Sequence, residues 1–202
     1  MGDGAPSSKS VRLRVRPGVL QCFHPLLRSG VGLDVRVGIP VRDLLSDELG
    51  MRPEYLENRV QTLFLDGKPV DDVDTALVTD GSVLAISAAM PGLAGATLRK
   101  SGFFSGLRHQ INYHPTIGTG PERRGRVVLK TFNLLTAEIA PWLMTRGVLV
   151  EGERLAEVLK DCTDMIAGCR ETRVDGKEIP AENLHEAVRG NPYIFLEVHV
   201  EG

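Results

Sequence analysis

The chain has 202 residues, is 42% hydrophobic and 25% charged, and carries a formal net charge of −2. That length leaves room for one or two compact domains, and the composition is that of a soluble globular protein. So small a net charge excludes wholesale electrostatic capture of nucleic acid while leaving local patches open.

Residues 1–10 read as a disordered leader. The start lacks the apolar stretch of a secretory signal. Pro6 stands where a myristoylation motif has Ser or Thr, which removes Gly2 as an acceptor. The first strand is then predicted from Val11, Leu13 and Val15 alternating with Arg12, Arg14 and Arg16. Leu20, Phe23 and Leu27 follow at helical spacing and run into a turn cluster at Ser29-Gly30-Val31-Gly32. A second alternating strand covers Leu33, Val35 and Val37, and it is expected to pair antiparallel with the first.

Pro40 suits the first position of a helix, where a missing N–H costs nothing. Val41, Leu44, Leu45 and Leu49 give that helix one apolar stripe, and Gly50 stops it. Val60 to Leu65 is the third strand, closed by a turn at Asp66-Gly67. A polar link at Asp71-Asp72-Val73-Asp74 and a turn at Asp80-Gly81 precede the last strand, Val83 to Ser87. Residues 81–98 hold no charge, yet Pro91, Gly92 and Gly95 expose backbone that lipid does not tolerate, so the segment is not a membrane span.

The pattern recurs. Asp66-Gly67-Lys68-Pro69-Val70 returns as Asp175-Gly176-Lys177-Glu178-Ile179, and Gly81 maps onto Gly190 at the same spacing. Val127 to Leu129 matches the opening strand. Leu135, Ile139 and Leu143 match the first helical piece, which ends at Gly147, and Val148 to Val150 match the second strand. Leu155, Val158 and Leu159 repeat the helix stripe. Arg170 to Val174 leads into the second Asp-Gly turn, and Ile194, Leu196, Val198 and Val200 form the closing strand. The expected fold class is α+β: tandem β-grasp units, each a mixed sheet with a helix packed on one face. The domains are then a leader at 1–10, a first unit at 11–88, a basic Gly-rich connector at 89–125, and a second unit at 126–202.

With that order laid out, residues 11–92 resemble the MoaD/ThiS branch of the ubiquitin-like β-grasp sulfur carriers; the second half is similar only in outline. The likeness rests on Val11-Arg12-Leu13-Arg14-Val15, Leu26-Leu27-Arg28-Ser29-Gly30, Ile39-Pro40-Val41-Arg42-Asp43-Leu44-Leu45, Leu65-Asp66-Gly67-Lys68-Pro69-Val70 and Thr79-Asp80-Gly81-Ser82-Val83-Leu84-Ala85. The resemblance implies a carrier whose free Gly-Gly end is adenylated by a partner enzyme and becomes a thiocarboxylate. Here the equivalent tail, with Pro91, Gly92 and Gly95, has no Gly-Gly pair and continues for more than a hundred residues. A fold carries no activity by itself.

The connector concentrates positive charge. Within residues 81–126 lie Arg99, Lys100, Arg108, Arg123, Arg124 and Arg126 against the single Glu122. Phe103, Phe104 and Tyr113 lie among them. Arginines with interleaved aromatics bind phosphate and stack on bases, which makes Arg99, Lys100, Arg108, Arg123 and Arg124 candidate anion-binding residues. The simpler expectation is a linker whose aromatics cover an edge or face of a sheet.

Three cysteines, Cys22, Cys162 and Cys169, are too few for a disulfide framework and lack metal-ligand spacing. They read as small thiols in a reducing cytoplasm. The aspartates around Asp66–Asp80 lack EF-hand spacing, and Trp142 reads as core. Phosphate-loop, dinucleotide, hydrolase and zincin motifs are all missing, and no cofactor or metal is expected. The leading expectation is a cytoplasmic, non-enzymatic module that presents a sheet surface or edge to a protein partner. A carrier precursor cleaved near Gly92 or Gly95 is the first alternative, and anion or RNA binding through the connector is the second. An enzyme would require a pocket between the repeats holding a perturbed His109 or His114.

Overall fold

The computed structural model describes residues 8–89, 92–100, 102, 111–113 and 121–201. The chain opens with β1 (Lys9–Val15), a 3-10 turn (Pro17–Phe23), α1 (His24–Ser29) and β2 (Val31–Val37). Then come β3 (Ile39–Pro40), α2 (Val41–Asp43) continued by a π turn (Leu44–Glu48), α3 (Pro53–Asn58), β4 (Thr62–Leu65) and β5 (Lys68–Pro69). The middle of the chain supplies β6 (Leu77–Val78), β7 (Val83–Ser87), α4 (Gly92–Leu98) and β8 (Arg123–Phe132). The remainder is α5 (Leu134–Arg146), β9 (Val148–Val150), α6 (Gly152–Asp161), α7 (Thr163–Ile166), β10 (Glu171–Val174), β11 (Lys177–Glu178), α8 (Leu184–Val188) and β12 (Ile194–Val200). The α+β class with mixed sheets stands.

These elements form two compact units, and their boundaries differ from those of the sequence repeats. One unit comprises residues 1–31 and 137–202; the other comprises 32–136. Lys9 and Ser10, placed in the leader from sequence, already belong to β1; residues 1–7 lie outside the described residues.

In the discontinuous unit the strand order is β11-β10-β1-β12-β9. β1 runs parallel to β12, with Val11 opposite Leu196 and Leu13 opposite Val198. It runs antiparallel to β10, with Leu13 opposite Thr172. The N-terminal strand therefore lies between two strands from the far end of the chain, not in the expected opening hairpin. The reason is general: a period-two pattern fixes which face of a strand is buried, and leaves its neighbours open. Val11, Leu13, Val15, Ile194, Leu196 and Val198 are all buried on one face. The helices α1, α6 and α8, with Leu26, Leu27, Leu155, Leu159, Leu184 and Val188 buried, supply the rest of this core.

In the continuous unit the order is β2-β8-β7-β4-β5. β7 and β8 are parallel, Val83 opposite Val128, and β4 is antiparallel to β7, Phe64 opposite Ala85. Leu33, Val35, Val37, Leu63, Leu65, Leu84, Ile86, Val127 and Leu129 are buried together with Leu44 and Leu45.

The two units share one turn. Asp66 and Asp175 adopt φ of 51° and 50°, and Gly67 and Gly176 both adopt 77°. Two successive positive φ values make the tight hairpin that Asp-Gly favours. Asp66 Oδ1 accepts from the Val83 backbone N–H at 2.7 Å, and Asp175 Oδ1 accepts from that of Ser10 at 2.8 Å. In its unit β1 thus occupies the place that β7 occupies in the other. The strand that follows Gly190 sits beyond it, where the other unit has β8.

Candidate interaction surface

Strand alternation turns one face of the continuous unit's sheet away from its main core. Along it stand Asp34 and Arg36 of β2, Arg124, Arg126, Val128, Lys130 and Phe132 of β8, Val83, Ala85 and Ser87 of β7, and Thr62 and Phe64 of β4. Its chemistry divides into a charged end and an apolar end.

The charged end is an ion-pair cluster. Arg36 Nε donates to Glu48 Oε1 at 2.7 Å, and Arg36 also meets Glu122 at 3.5 Å. Arg124 reaches Glu48 at 3.3 Å and donates to the Asp34 carbonyl at 2.6 Å. Arg123 pairs with Asp80 at 3.1 Å, and Arg126 with Asp34 at 3.5 Å. The hydrogen bond from Arg36 holds the Glu48 carboxyl below the usual carboxylate range, with further help from the Arg36 backbone N–H and Arg124. Asp80 is lowered likewise, by the Arg126 backbone N–H first and Arg123 second. Four guanidinium groups thus stand among Asp34, Asp47, Glu48, Asp80 and Glu122. Gly125 permits this approach, since a Cβ there would lie 2.8 Å from Val37 Cγ2 and 3.0 Å from Asp80 Oδ1.

Sequence counting saw these arginines as a net positive patch because their acidic partners are scattered over residues 34–122. Of the five candidate anion-binding residues, Arg123 and Arg124 sit in this balanced cluster, and Arg99 and Lys100 follow α4. Arg99 is exposed and Lys100 half-buried. Burial lowers the Lys100 pKa, and the nearby Arg42 adds to the shift. Arg42 itself forms a two-pronged ion pair with Asp74. Arg108, His109 and His114 lie outside the described residues, as do Phe103 and Phe104.

The connector holds to the edge of this unit's sheet. The Lys100 backbone N–H donates to the Gln61 carbonyl at 2.7 Å, and that of Tyr113 donates to the Pro69 carbonyl at 2.8 Å. Asn112 Nδ2 donates to Asp71 Oδ2 at 2.9 Å. The first two of these bonds satisfy backbone acceptors beside β4 and β5, the strands at the end of the order, and so blunt an edge open to pairing with another chain. Gly92 and Gly95, the tail equivalents, fall within α4, and Gly95 is buried. Pro91 lies outside the described residues.

The apolar end is a cleft of about 360 Å³ lined by Thr62, Phe64, Ala85, Ile86, Ser87, Leu98, Phe132 and Asn133. Cross-strand register builds its floor: Thr62 faces Ser87, which faces Phe132, and Phe64 faces Ala85, which faces Lys130. Leu98 of α4 closes one wall. Asn133, held at φ 55°, donates from Nδ2 to Ser87 Oγ at 2.9 Å. Phe132 is 39% exposed and Leu134 64% exposed. Thr62 is 1% exposed, and its hydroxyl has no hydrogen-bond partner.

The open face of the discontinuous unit is different in kind. Arg12 meets Glu197 at 2.5 Å, Arg14 meets Glu171 at 3.4 Å and Arg173 meets Glu171 at 2.6 Å. That face is covered by paired charges. No described helix is long and apolar enough to cross a membrane. No family model matches the chain, and no curated protein or solved structure matches it either.

Proposed function

We propose that the chain is a non-enzymatic interaction module, built of two ubiquitin-like β-grasp units, that binds an apolar segment of a protein partner on the open sheet face of residues 32–136. The observation that carries this reading is the cleft between Phe64, Leu98 and Phe132. Apolar walls with few polar groups are the general character of a binding pocket, and its size is in the range of one. The face is favoured over the edge as the docking place, because Lys100 and Tyr113 already use edge acceptors. The shared Asp-Gly turns and the parallel inner strands of both units support the β-grasp reading. Thr62 adds a buried hydroxyl that lacks a partner beside an otherwise greasy site.

The carrier reading needs an extended glycine tail, and α4 offers helix there instead. The anion-binding reading needs uncompensated cations, while Arg123 and Arg124 stand against Asp80 and Glu48.

Peptides selected from a random display library on the full chain test the proposal, with affinities measured by calorimetry. Replacing Phe132 by Glu should weaken the selected peptides at least tenfold, as burial of a charge in an apolar site is costly. Replacing Arg12 by Ala should leave them unchanged. Equal binding to the Phe132→Glu protein would remove the cleft from the proposal.

A further inference from the structure

The deep end of the apolar cleft holds a polar group that the fold leaves unused. Phe132 at the mouth is 39% exposed, while Thr62 is 1% exposed and its hydroxyl has no hydrogen-bond partner. Its neighbour across the strands, Ser87, is committed elsewhere. The Ser87 hydroxyl donates its one proton to the Ala88 carbonyl at 3.0 Å and accepts from Asn133 Nδ2 at 2.9 Å. A shielded hydroxyl without a partner lowers stability, and valine would fill the same space without that cost. An occupant that brings the missing hydrogen bond accounts for the threonine.

The walls define the rest of the occupant. Phe64, Leu98 and Phe132 are apolar, so the body of an inserted side chain must be apolar as well. Only the far tip of a side chain that fills the cleft meets Thr62. The hydroxyls of serine and threonine lie next to the backbone, and the indole N–H of tryptophan sits on the flank of its ring. Tyrosine carries a hydroxyl at the end of a rigid apolar ring, able both to donate and to accept. Beside the cleft, Lys130 of β8 stands half-buried on the same face, level with Ala85. Among the described residues no carboxylate lies within ion-pair distance of it; the carboxylates of this face pair with Arg36, Arg123, Arg124 and Arg126. An acidic group on the occupant would complement that charge.

We propose that the cleft takes a tyrosine side chain of a protein partner, its phenol hydrogen-bonded to Thr62, with an acidic residue beside it against Lys130. This rests on the reading of the cleft as the docking place. Thr62 is then a specificity-determining residue, and its hydroxyl acts in opposite senses on folding and on binding. Thr62→Val should leave the melting temperature unchanged or higher while it removes the preference for tyrosine.

The experiment pans short-peptide display libraries on the full chain. The libraries differ only in a fixed central residue, Tyr, Phe, Trp or Leu, with random flanks. The tyrosine library should yield the tightest binders, with Asp or Glu enriched beside the fixed position. For the best such peptide, calorimetry should show that changing its tyrosine to phenylalanine weakens binding about tenfold, the worth of one hydrogen bond. The same change should cost nothing on the Thr62→Val protein, and Thr62→Ser should keep most of the preference. Lys130→Gln should weaken the tyrosine peptide about threefold and flatten its salt dependence. Peptides that are lost on Phe132→Glu but bind alike with tyrosine or phenylalanine would overturn the proposal and leave the cleft as a docking place. So would an undiminished tyrosine preference on the Thr62→Val protein. Binders indifferent to Phe132→Glu, or no binder from any library, would overturn both.

Discussion

Arg12 Nε donates to Glu197 Oε2 at 2.5 Å, although the two residues are 185 positions apart. The pair sits on neighbouring parallel strands, with Arg12 level with Glu197 in the register. Arg12 is largely exposed, so the ion pair marks the register more than it stabilises it. What it marks is an N-terminal strand built into the unit that ends the chain.

The Asp175 carboxylate should be the most costly polar group to remove at this junction. It accepts from the Ser10 backbone N–H at 2.8 Å and holds φ at 50°. Asp175→Ala loses a hydrogen bond worth about 1 kcal/mol and places Ala in the left-handed region at a cost of about 1 kcal/mol more. Denaturant unfolding should show a loss of about 2 kcal/mol by that reckoning. Asp175→Asn, which tolerates the same φ, should lose less.

Gly152→Ala should be among the most damaging small changes. A Cβ at residue 152 would stand 2.4 Å from the Asn191 carbonyl oxygen and 2.5 Å from that of Val188. Backbone atoms yield less readily than side chains, so the expected loss is about 3 kcal/mol. Gly67→Ala, with nothing near its Cβ, should cost only the φ strain of about 1 kcal/mol. Thermal melts of the two proteins compare these directly.

Thr62→Val should stabilise the chain. The Thr62 hydroxyl is buried without a partner, and replacing it by a methyl removes a desolvation cost of about 1 kcal/mol. A rise in melting temperature is expected, and a fall would mean that the hydroxyl has a use in the folded chain.

Acid should destabilise the protein in two stages. His24 is held below its ordinary value by burial and then by Arg28, so the unfolded chain binds its proton first. Stability is therefore complete above about pH 6.5 and begins to fall below it. Glu48, Asp74 and Asp80 are also lowered, Asp74 by the hydrogen bond from Arg42. Their contribution is complete above about pH 4 and is lost progressively as pH falls from there through the depressed folded values. Urea midpoints across this range should fall in both windows, and His24→Gln should remove the upper one.

Local chemistry was readable from the residues, and partner choice was not. The stripe Val41, Leu44, Leu45 and Leu49 falls on the predicted helix, although it widens into a π turn at Leu44–Glu48. The helix α3, whose six residues bury only Leu56, carries too little periodicity to be seen. Both Asp-Gly turns form hairpins, because two positive φ values suit those residues wherever they occur. The alternation of Val11, Leu13 and Val15 gave the buried face but said nothing of β10 and β12. The spacing that aligned Gly81 with Gly190 holds for the turns, since both glycines have positive φ, and not for the strands after them.

The cleft was missed for a related reason. Phe64 belongs to a segment read as an ordinary strand and Phe132 lies just beyond one, and only register brings Phe132 beside Ser87 and Thr62. One signal was present: Phe132 and Leu134 are large apolar residues flanking a polar turn residue, Asn133, outside the predicted strand. The arginines misled in the opposite sense, because local charge counts omit acids that fold back from Asp34 and Glu48.

Amide hydrogen exchange on the full chain and on a chain lacking residues 1–16 decides where the N-terminal strand belongs. Without it, β10 and β12 should lose protection, since their ladder partner is gone, while β4, β7 and β8 should stay protected. Unchanged protection in β10 and β12, with β2 exposed instead, would place the strand in the opening hairpin and contradict the structure described above.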